Sequence, residues 1–125
     1  MAKFKIASNP TFTTEVSIPR IGGDPHIVKI TYRTVGRKQL AAIYDKWHEA
    51  SKSFDLEADD LTYATLADAD IDVQCQQIKD IVVGWSFEDE FNDENIVALC
   101  DTCTHAAQAI VEAYRKEYAE VRSKN

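Results

Sequence analysis

Positive charge is almost missing from the middle of this chain: residues 53–112 hold one basic side chain, Lys79, against fifteen Asp and Glu, a net of −14. Nucleic-acid binding draws on Lys and Arg that displace counterions from phosphates, so this balance argues against a nucleic-acid partner. The basic residues lie toward the ends, with a net of +5 over residues 1–52 and +2 over residues 113–125, within a total of −7. Long apolar runs are also missing. No window approaches the roughly 18 consecutive apolar residues of a membrane span, and no membrane partner is expected. Cysteine is scarce and odd in number, at Cys75, Cys100 and Cys103. The first residues do not read as a secretory leader, so a reducing cytoplasm is expected rather than a disulfide framework. A chain of 125 residues fits one domain over 1–125 that buries roughly two-thirds of its unfolded surface without staples.

Signatures of catalysis and metal binding are thin. The acidic stretch "GWSFEDEFNDEN", residues 84–95, resembles a calcium loop only in composition. Counted from Asp89, its third position is Phe91 and its sixth is Glu94, where an EF-hand needs an oxygen ligand and a glycine. Cys100 and Cys103 form a CxxC with His105 two residues on, which makes them the candidates for zinc or redox chemistry. No second CxxC completes a tetrahedral set, and the pair sits within or at the end of a helical pattern, whereas a redox dithiol belongs at a helix N-terminus. Spacing of three residues places both on one helix face, and buried core cysteines are the preferred reading. His26, His48 and His105 have no neighbouring nucleophile motif. The "IGGDP" glycines lack the Lys and Ser/Thr of a phosphate loop. The acids of residues 55–72 read as solvated surface. No enzyme, no cofactor and no bound metal is expected.

What is present is a change of period along the chain. Phe12, Thr14, Val16 and Ile18, then Val28, Ile30, Tyr32 and Thr34, alternate as strands do. Between them "PRIGGDP" supplies glycines for positive φ and prolines that leave the ladder, so residues 1–35 are expected to hold a β-hairpin with a longish, mobile loop. Residues 3–7 could add a third strand. From residue 37 to residue 54 the spacing of Leu40, Ile43, Tyr44, Trp47, Ser51 and Phe54 predicts an amphipathic helix. Residues 55–70 read as an acidic linker. Residues 71–122 read as helical, beginning with Ile71, Cys75, Ile78 and Val82, capped at Asp68 or Asp70 and stopped by Gly84 in the left-handed position. At the next corner Asn92 is an expected cap, with acids in the first turn and Phe91 and Ile96 as a hydrophobic staple. Thr104 is the expected cap of a last helix carrying Ala107, Ile110, Val111, Tyr114, Tyr118 and Val121 on one face. The expected class is α+β, a β-hairpin of two or three strands followed by a bundle of about four helices. Trp47 and Trp85 sit at the edges of apolar patterns, and an exposed Trp85 would make a binding anchor. Phe87 and Phe91 flank it as further partner-binding candidates.

The segment "IVVGWSFEDEFNDENIVALC" with the later "AAQAIVEAY" resembles the tail assembly chaperones of long-tailed bacteriophages. The matching positions are Gly84, Trp85, Phe91, Glu94, Asn95, Ile96, Leu99, Ala107, Ile110, Ala113 and Tyr114, and the resemblance covers about a third of the chain on its C-terminal side. The resemblance implies a non-enzymatic protein of the infected bacterial cytoplasm that escorts the long, apolar, helical tape measure protein while tail tube subunits polymerise, and that is absent from the finished virion. It makes the tape measure protein the expected partner, with the major tail tube protein as a second. It also implies a longer form made by ribosomal frameshifting. The family often places a proline between its last two helices where this chain has Cys103-Thr104, which leaves open whether the chain turns there or runs on as one helix.

The charge polarity adds an expectation of its own. A basic first third and an acidic middle favour head-to-tail homo-oligomers whose contacts weaken as salt rises. The competing functional reading is a small acidic interaction or regulatory module that blocks a basic surface on a partner. A zinc or redox protein built on Cys100 and Cys103 is the third.

Overall fold

A computed structural model describes residues 3, 6, 10–52 and 61–123. The hairpin follows the period-two pattern: β1 (Thr11–Ile18) pairs antiparallel with β2 (His26–Arg33), in a register that sets Phe12 opposite Tyr32 and Val16 opposite Val28. Val16, Ile18, Val28, Ile30 and Tyr32 are buried on one face. The opposite face is polar and carries a Thr13–Thr31 hydroxyl pair at 2.9 Å. In the connecting turn Gly22 has φ 78°, a left-handed value that favours glycine. The Arg20 side chain closes the turn by donating from Nε to the Asp24 carbonyl at 2.6 Å.

Helix α1 (Arg37–Lys52) joins the core at its edge, burying only Trp47 while Leu40, Ile43 and Tyr44 pack half-buried against it. Phe54, expected to extend it, lies outside the described residues, as do residues 55–60 of the expected linker. Asp80 on α2 (Tyr63–Ile81) holds α1 in place. Its carboxylate accepts from Trp47 Nε1 at 2.8 Å, from Lys46 Nζ at 2.9 Å and from Gln76 Nε2 at 2.8 Å.

Helix α2 begins eight residues or so before the expected start, and neither Asp68 nor Asp70 caps it. Thr62 does, its hydroxyl accepting the Thr65 N–H at 3.1 Å. Residues 63–70 are therefore helix and not linker. Alanines with good helix propensity alternate with acids there, and Leu66 and Ala69 supply a half-buried stripe while Asp68 and Asp70 face water.

Gly84 does not cap this helix. Val82 ends α2 in an extended conformation, and the chain passes without a loop into β3 (Val82–Trp85), with Gly84 inside the strand. Among the described residues only Gly22 has positive φ. The β-branched Ile81-Val82-Val83 run suits a pleated strand better than a last helical turn. β3 pairs antiparallel with β2, with Ile30 opposite Trp85, Thr31 opposite Gly84 and Tyr32 opposite Val82. Val83 is the extra residue of a bulge. The sheet order is β1-β2-β3. The third strand thus comes from residues 82–85; the candidate at 3–7 falls largely outside the described residues.

Helices α3 (Asp93–Thr102) and α4 (Ala106–Ser123) complete an α+β fold that has three strands and four helices among the described residues. The chain turns between them without proline. Cys103 is extended, with φ −113° and ψ 93°, and donates its N–H to the Leu99 carbonyl at 2.8 Å. Ala106 then donates to the Cys103 carbonyl at 3.0 Å, and Ala106 and Ala107 are fully buried, small enough for a close turn. The inner sheet face, α2, α3 and α4 share one apolar cluster that includes Ile78, Ile81, Val82, Ile96, Ile110 and Tyr114.

Burial works against ionisation of Asp80, yet the hydrogen bonds from Lys46, Trp47 and Gln76 outweigh it and hold the carboxyl below its ordinary value of 3.8. A depressed folded-state value means this group stabilises the fold fully above that ordinary value and loses its contribution as pH falls through the lower one. Asp80→Ala leaves the Trp47 N–H without its acceptor, and about 1–3 kcal/mol of stability is expected to be lost near neutral pH. Urea unfolding followed by tryptophan fluorescence measures this. The difference between Asp80→Ala and the parent chain should shrink as the pH is lowered below 3.8; equal stability at neutral pH would refute the role given to Asp80.

Candidate functional site

The α2-to-β3 junction and the α3 cap together shape residues 84–95. Trp85 ends β3, and the loop that follows is tied down at both ends. Ser86 donates its N–H to the Lys29 carbonyl at 2.9 Å and accepts the Lys29 N–H on its hydroxyl at 2.8 Å. Trp85 Nε1 donates to the Asp89 carbonyl at 2.7 Å, and Asn95 Nδ2 donates to the Glu90 carbonyl at 2.7 Å. Asn92 caps α3, its side-chain oxygen accepting the Asn95 N–H at 2.9 Å, and Asp93 and Glu94 occupy the first turn. The stretch is a cross-linked corner, not an open ion-binding loop.

This corner brings the three partner-binding candidates together. The Trp85 ring packs edge-on against Phe87 at 5.2 Å and 86°, and against Phe91 at 5.0 Å and 88°. All three are half-buried. Phe87 also meets His26 edge-on at 6.2 Å. Beside them opens a cleft of about 240 Å³ between the β2 and β3 ends and the outer face of α3. Trp85, Phe87 and His26 form one wall; Ala98, Leu99, Thr102 and Cys103 form the other. Phe91 does not line the cleft but props the indole. Asp89 stands at the mouth, and Glu88, Asp89 and Glu90 are exposed.

Several of these residues carried no sequence signal for a site. His26 reads as a loop histidine, and Leu99 as part of a helical stripe. His26 joins Trp85 in lining the cleft because β3 pairs with β2, a long-range contact that periodicity does not encode, and Leu99 joins them from α3. His48 and His105 are exposed and do not line the cleft. Thr104 does not cap α4. The Ala109 N–H bonds to the His105 carbonyl at 3.1 Å, so His105 is the half-in residue, and the Thr104 hydroxyl instead meets His105 Nδ1 at 3.1 Å.

The cysteines are core residues. Cys75, Cys100 and Cys103 are all buried and free. Burial first, and then the adjacent Cys75, pushes the Cys100 thiol up to about 12. Burial likewise raises Cys75, against a smaller opposing contribution from its hydrogen bond with Cys100. The Cys75 and Cys100 thiols are protonated and poorly nucleophilic at neutral pH. Among the described residues no group of three or more His, Cys, Asp or Glu side chains could hold a metal ion.

A second concavity, of about 750 Å³, lies between α1 and α4 and has the opposite charge. Arg37 and Arg115 line it with Leu40, Tyr44 and Tyr118, and the Arg115 guanidinium sits 4.8 Å from the Tyr44 ring centre. No described helix is long and apolar enough to cross a membrane.

Cys75 and Cys100 should react with a disulfide reagent at about pH 8 far more slowly in the folded chain than in guanidinium, with thiol release as the readout. Fast labelling of either in the folded chain, or zinc retained near one equivalent by protein purified without chelator, would contradict the core assignment.

No curated protein and no solved structure matches the chain. A protein-family model described as phage tail assembly chaperone matches residues 1–125. With that match running the length of the sequence, the chain belongs to the phage tail assembly chaperone family.

Proposed function

We propose that this chain binds the tape measure protein and keeps it soluble until the tail tube assembles around it, and that it is absent from the finished virion. The observation that carries the reading is family membership over residues 1–125. A long helical client with a bare apolar stripe would aggregate, and a chaperone for it needs modest, reversible contacts repeated along the helix. The cleft beside Trp85, Phe87 and Phe91 suits that task. Its volume of about 240 Å³ falls below the ~300–1,000 Å³ usual for small-molecule sites, and it fits a single side-chain anchor. The role is non-enzymatic and is exercised in the cytoplasm of the infected bacterium. The major tail tube protein is the second candidate partner.

Self-association belongs to the same reading. Residues 1–52 carry a net of +5 and residues 53–112 a net of −14 on one chain. Opposite charges on separate surfaces favour head-to-tail contacts that salt weakens. The acidic-module reading, in which the chain masks a basic partner surface, draws on the acidic residues Glu88, Asp89 and Glu90 and is the second reading.

Co-expression with the tape measure protein tests the proposal. The client is expected in the soluble fraction and in one chromatographic peak with this chain, and in the pellet when expressed alone. A client that stays insoluble beside abundant soluble chaperone, in both the short and any frameshifted form, would overturn the reading.

A further inference from the structure

The cleft's walls and its rim differ in chemistry, and the difference specifies what enters. The walls are apolar and aromatic, chiefly Trp85, Phe87, Ala98 and Leu99. The rim is acidic. Asp89 lines the cleft and Glu88 and Glu90 flank it in the chain; all three are exposed and form no ion pair with another described residue, and the only basic residue between 53 and 112, Lys79, is engaged 3.3 Å from Asp93. Hydrogen bonds from Trp85 and Asn95 to the carbonyls of Asp89 and Glu90 fix the backbone that carries these carboxylates, so the charges stand at the mouth before any partner arrives.

We propose that the cleft takes one large apolar side chain from a cationic amphipathic helix, with Lys or Arg about one turn to either side of the anchor meeting Glu88, Asp89 and Glu90. The assignment rests on the chaperone reading and adds the chemistry of the client segment. Helical spacing favours this partner, because residues three or four positions from the anchor lie on the same face and within reach of the rim. A helix with acids at those positions is repelled, so the rim selects among equally apolar segments. The cationic concavity between α1 and α4, lined by Arg37 and Arg115, lacks this preference and repels the same helix.

Two labelled peptides of about 20 residues, long enough to form a helix, provide the probe. They share one Leu/Ala stripe and differ only in carrying Lys or Glu on the polar face. Binding to the full chain is read by fluorescence anisotropy. The Lys peptide should bind at least about tenfold more tightly, and its advantage should fade between about 50 and 500 mM salt as the Debye length shortens. Glu88→Lys with Glu90→Lys should reverse the preference. Both sites are exposed, so the fold should persist, which circular dichroism checks. Ala98→Arg, at an exposed cleft-lining position, should weaken both peptides. Equal binding of the two peptides, binding of neither, or a preference that survives the double charge reversal overturns the assignment. Displacement of the peptide by self-association gives the cleft to a second copy and overturns it as well. Failure of the chaperone reading is distinguishable, since the parent chain would then leave the tape measure protein insoluble whatever the peptides do.

Discussion

Two tyrosines clasp the sheet to the last helix, and the remaining packing depends on that clasp. Tyr32, near the end of β2, is fully buried and donates its hydroxyl to the Ile110 carbonyl of α4 at 2.7 Å. Tyr114, also fully buried, returns the contact by donating to the Arg33 carbonyl at 3.0 Å. Because that donor is committed, Tyr114 must accept from Tyr118 at 3.2 Å, and Tyr118 in turn accepts the Val35 N–H at 3.2 Å. The relay has one direction and leaves no polar atom stranded. Phe12 stacks on both rings, 5.1 Å from Tyr32 and 5.9 Å from Tyr114. Burial raises both phenols far above their ordinary value, so they remain neutral donors wherever the protein folds. A buried hydroxyl without its acceptor would cost about 1–3 kcal/mol, a sizeable share of a domain's net stability.

With α4 fixed across β1 and β2, α2 and α3 fill the space over the inner sheet face, and α2 can deliver Val82 directly into the sheet. That delivery makes the cleft. Trp85 is carried to the end of β3, Ser86 locks onto Lys29, and the loop closes on the Asn92 cap, so the aromatic wall faces α3 in a fixed geometry. A surface ordered in advance loses little entropy on binding. A single-anchor cleft nevertheless gives only modest affinity at each contact. That combination suits an escort that must release its client as the tube grows.

Much of this was legible in the sequence wherever the signal was local. The alternation at Val16, Ile18, Val28 and Ile30 marks the hairpin, and Asn92 with its acidic first turn marks the α3 start. The grouping of Trp85, Phe87 and Phe91 marks the aromatic corner. Signals of mixed meaning led elsewhere. Val82, Val83 and Gly84 continue an apolar helical stripe and end it with a residue typical of helix stops, while the pairing with Thr31 and Tyr32 that makes them a strand lies about fifty residues away. Residues 63–70 look like an acidic linker because composition hides an alanine-rich helix capped by Thr62. His26 comes to line the cleft through the same long-range pairing, which no spacing rule announces.

Hydrogen–deuterium exchange on the chain alone and in complex with the tape measure protein tests the central claim, that this preformed corner is where the client docks. The account predicts added protection concentrated in residues 85–91 and 95–103, with the Tyr32–Tyr114 region already protected in the free chain and unchanged. Protection confined to α1 and α4 around Arg37 and Arg115, with residues 85–91 unaffected, would contradict it.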